Sequence, residues 1–271
     1  MEIELHINKS VDENASLYYE KAKKSKKKLE GINKAIGSAE KKLEDETLRI
    51  AEKEKIEEEK TKPPRKKEWY EKFHWFFTSR GKLVIGGRDA TTNEAIVKKY
   101  TDKGDLVFHT DMAGSPFVVI KADGADVENI EKEEAAEFLA CYSKAWKAGI
   151  SSVEVFYVNP DQVTKEAQSG EYLPKGSFMI RGKTKYIGAT LRLAVTVHDD
   201  IVYAGPISAI RTLIESKIPD LTREDVDKKY VRIVQGREKS SQVAKQIKKY
   251  FGGDLDDIIR VLPPGGCRIG K

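Results

Sequence analysis

The chain has 271 residues, with 39% apolar and 34% charged side chains, 49 Lys or Arg against 44 Asp or Glu, and a formal net charge of +5. That length holds one substantial domain or two small ones, and the mixture suits a globular core joined to a solvated helix. No apolar run is long enough to span a membrane, MEIELHINKS lacks the apolar core of a signal peptide, and two distant cysteines offer neither a disulfide framework nor zinc spacing. A reducing cytoplasm is therefore the expected setting, with no metal and no cofactor. The charge balance permits an acidic partner such as RNA without establishing one.

Residues 2–7 alternate charged and apolar side chains and predict a short strand. From residue 11 to 59 the pattern turns helical. Ala22, Leu29, Ile32, Ile36, Ala39, Leu43 and Ile50 fall on the a and d positions of a heptad frame, with Ser25, Glu46 and Lys53 as its polar members. A seam this thin suits one arm of a coiled coil. A continuous helix over this span would be about 70 Å long, weakened locally by Gly31 and Gly37. TKPPR at 61–65 breaks it, because proline lacks an amide donor and restricts the residue before it.

The aromatic run WYEKFHWFFTS (69–79) predicts a strand. Arg80-Gly81 then gives a turn, and residues 82–85 the returning arm of a hairpin. Thr91 and Glu94 fit a capping box that opens a helix through Tyr100. Residues 105–111 and 117–121 read as strands joined at Ala113-Gly114-Ser115-Pro116. A helix follows at 133–147, closed by Gly149, then a strand at 153–158 and a polar loop at 160–174. Further strands are predicted at 178–186, 191–197, 201–204 and 231–234, and helices at 206–216, 240–251 and 255–261. A rigid-then-flexible tail begins at Pro263.

Strict strand–helix alternation is absent, so the fold class is α+β. The expected architecture is a compact mixed domain with a mainly antiparallel sheet and flanking helices (63–204). A long coiled-coil helix precedes it (1–62), and an α/β extension packed on it follows (205–271).

Several stretches carry candidate chemistry. KAKKSKKK at 21–28 is either a solvated helix face or a phosphate-contacting patch. Gly86-Gly87-Arg88-Asp89 lies between a strand and a helix. It offers either amides and a guanidinium to a phosphate, or a tight turn with an Arg88–carboxylate pair; it is neither a P-loop nor G-x-G-x-x-G. His109 and Asp111, two apart on a strand, share a face and could bind a metal or move a proton. Ala113 removes the next obvious ligand, however, and a metal site takes about three or four. A structural hydrogen bond or an RNA contact is the favoured role for His109. Residues 170–186 interleave Lys175, Arg181, Lys183 and Lys185 with Tyr172, Phe178 and Tyr186, a pattern in which charge meets phosphate and rings stack on unpaired bases. On a strand Arg181, Lys183 and Lys185 would share one face, and the alternative is an amphipathic strand whose face is simply wet. The aromatics of 69–77 read as core. Cys141 reads as an inert thiol on the apolar side of a helix, and Cys267 as a free thiol in the tail.

Longer words run through the same region: WYEKFHWF (69–76), IGGRDATTNE (85–94), GDLVFH (104–109), CYSKAW (141–146) and GEYLPKGSFMIRGK (170–183). Together and in this order they resemble the NFACT-R domain of the NFACT proteins of ribosome quality control. That family includes nuclear export mediator factor and the bacterial fibronectin-binding-protein-A-like proteins. The resemblance spans about residues 14–198. One departure stands out: the family usually reads H-A-D-x-H-G where this chain has HTDMAG, with Ala113 in place of a second histidine.

The resemblance implies an RNA-binding module that is not an enzyme. It would bind the large ribosomal subunit carrying a stalled peptidyl-tRNA, and support tRNA recruitment for C-terminal tailing of the nascent chain. It would also be the C-terminal part of a longer protein, because the family's N-terminal domain and matching coiled-coil arm come earlier, and its short C-terminal tail is archaeal in type. The family's Asp-Arg motif lies in that N-terminal domain, so this chain alone is not expected to support tailing. The expected RNA contacts are Arg88, His109, Lys121 and Lys175, together with Arg181, Lys183 and Lys185. On the arm, Lys21, Lys23 and Lys24 with Lys26, Lys27 and Lys28 would face the ribosome, and the seam would allow self-association. Two alternatives stay open: an RNA-processing or modifying enzyme using His109 and Asp111, and a protein-interaction scaffold dimerising through the arm.

Overall fold

The computed structural model describes residues 3–61, 65–166 and 173–270. The boundary placed at 62/63, Tyr172 of the basic–aromatic stretch, and the side chains of Ile50 and Lys53 lie outside the described residues. The chain forms two compact units, residues 1–66 and 67–271.

In the first unit, helix α1 (Val11–Thr61) has 51 residues and a length of about 76 Å. It passes through Gly31 and Gly37 without a break. The strand expected at 2–7 does not form: residues 3–10 make a capping loop instead. Asn14, only 6% exposed, accepts the His6 amide and donates to the His6, Lys9 and Ser10 carbonyls. Ser10 and Glu13 exchange capping bonds, and the bonds that the Ser10 amide and hydroxyl donate to the Glu13 carboxyl hold it below its ordinary pKa. Local polar bonds thus satisfy the backbone here. The predicted seam is exposed at Leu29, Ile32, Ile36 and Leu43.

The second unit runs β1 (His74–Phe77), β2 (Leu83–Gly86), α2 (Ala90–Lys99), β3 (Leu106–His109), β4 (Val118–Ile120), α3 (Asn129–Tyr142), α4 (Lys144–Ala148), β5 (Ser152–Val158), β6 (Val163–Thr164), β7 (Met179–Ile180) and β8 (Lys185–Thr190). It continues through β9 (Leu193–His198), β10 (Ile201–Gly205), α5 (Ile207–Lys217), α6 (Arg223–Asp227), β11 (Val231–Glu238), α7 (Ser240–Phe251), α8 (Leu255–Val261) and β12 (Cys267–Ile269). The fold is α+β. Its strands form a six-stranded sheet ordered β1-β2-β4-β3-β5-β8, a four-stranded sheet ordered β10-β9-β11-β12, and the β6–β7 pair. Every pairing is antiparallel.

The central strands β2, β4 and β3 of the large sheet are covered on both faces, which is why they read as continuous apolar runs rather than alternating ones. Val84, Phe108, Val118, Ile120 and Val155 pack under Phe138 and Leu139 of α3. Their neighbours Ile85, Val107, Val119 and Phe156 pack against Phe73 and against Ile96 of α2. The first of these cores continues into the second sheet through Leu193, Val195 and Ile233, and on to Val243 and Ile247 of α7. The division expected at 204/205 falls at the end of β10, inside that sheet.

Several local expectations shift. The cap of α2 is Asp89 boxed with Thr92, not Thr91 with Glu94; Glu94 pairs with Lys98 at 2.6 Å instead. The run 69–79 opens as a 3-10 turn (Trp69–Lys72) before β1. The helix expected at 133–147 starts earlier and is split by Ser143, whose hydroxyl donates to the Ala140 carbonyl and accepts the Ala145 amide. Cys141 is buried as expected. Cys267 is no tail thiol: it is fully buried in β12, a strand too short to show in the pattern.

Candidate nucleic-acid interface

A cleft of about 610 Å³ opens where β3 begins, β5 ends and β8 begins. Lys103, Lys132, Lys183 and Lys185 line it around Tyr157, with Asp126 as its acidic side chain. None of the four lysines forms an ion pair among the described residues. Tyr157 is the last residue of the β5 face that begins with Val153 and Val155, so its ring emerges from the core at the sheet's rim. Phe108 stacks on it at 5.5 Å, and the Lys132 and Lys185 ammonium groups each lie 5.8 Å from its centroid. Cations around a partly exposed ring can meet phosphate and stacked base together.

The lysines reach the cleft because the chain turns between β7 and β8. Arg181, Lys183 and Lys185 therefore do not share one strand face, as the pattern had suggested. Gln162 enforces the turn. Its carbonyl accepts the Arg181 amide at 2.8 Å, and its side-chain amide donates to the Arg181 and Lys183 carbonyls at 2.8 and 3.0 Å. Gly182 takes φ +81° between them. Arg181 is left outside the cleft, paired with Glu166 at 3.2 Å, both side chains exposed.

A second cleft, of about 590 Å³, lies at the other end of β3. Gly87 and Arg88 form its floor. Gly87 admits no side chain: a Cβ would fall 1.8 Å from Asn93 Oδ1, the atom that accepts the Phe117 amide. Arg88 is half-buried and donates from Nη2 to the Phe73 carbonyl at 2.8 Å. The carboxylate pair weighed for it is not formed among the described residues. Burial pulls its pKa down. Beside it His74 stacks on Tyr142 at 4.0 Å, and burial, with the Arg88 charge, takes its pKa down to about 3. Lys175 stands at the mouth, on a turn whose Gly176 (φ +79°) would carry a Cβ 2.6 Å from Ala90 Cα.

His109 also lines this cleft. Its Nε2 lies 3.1 Å from the Ser115 carbonyl and so carries the proton, while Phe117 packs on the ring at 4.3 Å. Burial lowers its pKa. Asp111 lies beyond the strand end and accepts from the Tyr186 hydroxyl at 3.4 Å. The described residues contain no cluster of three or more His, Cys, Asp or Glu able to hold a metal.

Lys121, expected among the RNA contacts, serves the fold instead. It is 8% exposed. Its ammonium binds Asp105, Asp102 at 2.6 Å and the Tyr100 carbonyl at 3.0 Å. Lys21, Lys23, Lys24, Lys26, Lys27 and Lys28 are exposed on α1. The sequence reading missed Lys103, Lys132, Tyr157 and His74. The first three come from separate elements, and only the period-two alternation Val153-Val155-Tyr157 hinted that a ring ends a buried face.

Fold and clefts together define an α+β binding module. Residues 72–182 match the family described as the NFACT protein RNA binding domain. The chain is 43% identical over 216 residues to the archaeal Rqc2 homolog aRqcH of Methanocaldococcus jannaschii, covering 78% of this chain and 31% of that protein. It is 40% identical over 179 residues to the ribosome quality control complex subunit NEMF of Homo sapiens, covering 64% and 16%. The C-terminal structure of the fibronectin/fibrinogen-binding protein from Streptococcus suis aligns at 24% identity and TM-score 0.38, over 48% of this chain and 49% of that one. The chain belongs to the NFACT family. It spans under a third of the length of these two curated relatives.

Proposed function

We propose that this chain is the RNA-binding module of a ribosome quality-control factor acting in the cytoplasm, and that it binds rather than catalyses. It docks on the large ribosomal subunit that holds a stalled peptidyl-tRNA and supports tRNA recruitment for C-terminal tailing of the nascent chain. The observation that carries this reading is the cleft around Tyr157, where Lys103, Lys132, Lys183 and Lys185 stand without ion-pair partners among the described residues. The names of the relatives, ribosome quality control subunits among them, support the same reading. Against the enzymatic alternative, His109 is tied to a carbonyl and Asp111 to a tyrosine hydroxyl.

The lysines of residues 21–28 give the arm a second phosphate-contacting surface, and the exposed seam of α1 gives it a face for pairing with a second copy. Co-sedimentation with purified large subunits tests the proposal. The chain is expected to pellet with them at low salt, and the Lys183→Ala/Lys185→Ala variant to pellet at least about tenfold more weakly. Free chain at every subunit concentration would refute it.

A further inference from the structure

The second cleft has a chemistry that the lysine cleft lacks. The Arg88 guanidinium has five N–H bonds, and its one hydrogen bond among the described residues goes to the Phe73 carbonyl. Its Nε and the neighbouring His74 Nδ1 are both buried without a hydrogen-bond partner among the described residues. Asp257 acts on Arg88 only from beyond ion-pair distance and already holds Lys67 at 2.7 Å. Asp89 and Asp111 also line the cleft, but Asp89 is turned to the Thr92 amide at 2.8 Å and Asp111 to the Tyr186 hydroxyl. A half-buried guanidinium with no carboxylate in contact among the described residues can receive an anion, although Asp89 and Asp257 act on it from a distance. Lys175 at the mouth adds a second positive charge.

The size and the walls narrow the anion. Clefts that hold small ligands run about 300–1,000 Å³, and this one, at about 590 Å³, is far larger than a bare oxyanion needs. Its walls carry ring surface from Phe178, Phe117 and His109, with Phe117 and Phe178 packed edge to face at 5.3 Å. Aromatic walls beside a cationic floor suit an unpaired base and its phosphate.

We propose that this cleft takes a single unpaired nucleotide, with its phosphate on Arg88 and Lys175 and its base against the Phe178 and His109 rings. The inference deepens the RNA-binding reading and rests on it.

Calorimetric titration of the whole chain at low salt with AMP, UMP, adenosine and inorganic phosphate tests this, with tRNA binding measured on the same samples. Both monophosphates are expected to bind, with phosphate and adenosine each weaker. Arg88→Gln is expected to weaken AMP binding about tenfold or more. Because Arg88 also holds the Phe73 carbonyl, Lys175→Ala, at an exposed turn, serves as the second variant and is expected to weaken AMP about threefold.

If the monophosphates do not bind the wild-type chain, or bind both variants undiminished, the nucleotide pocket is overturned. Inorganic phosphate binding as tightly as AMP would reduce the cleft to an ion site and overturn it as well. If tRNA binds while AMP does not, the pocket falls and the RNA-binding reading stands. If tRNA also fails to bind, that reading falls with it.

Discussion

Lys132 of α3 and Lys185 of β8 are 53 residues apart in sequence, yet each ammonium lies 5.8 Å from the centroid of the Tyr157 ring. The ring and the two charges make separable contributions. Tyr157→Phe keeps the ring and should bind unstructured RNA like the wild type. Tyr157→Ser should lose about 1–3 kcal/mol of affinity, the worth of one stacked base, with the salt dependence unchanged. Fluorescence anisotropy with a labelled single strand measures both quantities. A changed salt slope in Tyr157→Ser would mean that the ring acts by positioning the lysines.

Lys121 and Asp105 form a buried ion pair. Lys121→Met leaves the Asp105 carboxylate buried without its cation and should cost about 3–5 kcal/mol in urea unfolding. Adding Asp105→Asn should restore part of that. Burial opposes the charge on Lys121, but the bonds from Asp102 and Asp105 outweigh it and raise its pKa. Its stabilisation is therefore full at neutral pH and is lost as pH rises through the folded-state value, above the ordinary lysine range.

His74 works in the opposite direction. It stays neutral in the folded chain down to about pH 3, whereas an unfolded histidine charges near its ordinary value of 6.5. The unfolded state therefore binds more protons between these values, and stability falls as pH falls. From pH 7 to 5 the loss should be about 2 kcal/mol from this residue. His74→Phe keeps an aromatic ring against Tyr142 and should flatten that part of the profile. Equal pH slopes in the two proteins would show that His74 titrates normally.

Gly87→Ala tests the geometry of the second cleft's floor. The added methyl would meet Asn93 Oδ1 at 1.8 Å and Asn93 Cα at 3.1 Å. Either Asn93 leaves the Phe117 amide or α2 shifts. A cost of about 1–3 kcal/mol is expected, typical of overpacking, together with loss of protection of the Phe117 amide in hydrogen exchange. A variant as stable as the wild type would mean that the Gly87–Asn93 contact is loose.

The sequence showed the existence of most elements but not the directions of side chains at their ends. Continuous apolar runs such as LVI at 83–85 and FVVI at 117–120 marked strands buried on both faces. The a/d frame marked α1 because a long helix repeats its signal many times. What escaped were features set by contact between distant segments. Gln162 bends the path from Arg181 to Lys183, so a period-two reading of three basic residues failed. Lys121 looked like any other lysine at a strand's end, because Asp102 and Asp105 reach it only once β3 and β4 pair. Residues 2–7 read as a strand by alternation, but Asn14 satisfies the backbone of this stretch locally. Tyr157 and Lys132 gained meaning only when β5, β8 and α3 came together.

The most direct measurement is binding to purified large ribosomal subunits as a function of salt, for the wild-type chain and for Lys132→Ala/Lys183→Ala/Lys185→Ala. Neutralised phosphates release counterions, so affinity should fall steeply with salt. Removing three contacts should lower the slope of log K against log salt by roughly 2–3 and weaken low-salt binding at least about tenfold. Binding insensitive to salt, or a triple variant with the wild-type slope, would contradict the assignment of the Tyr157 cleft as the RNA-binding surface.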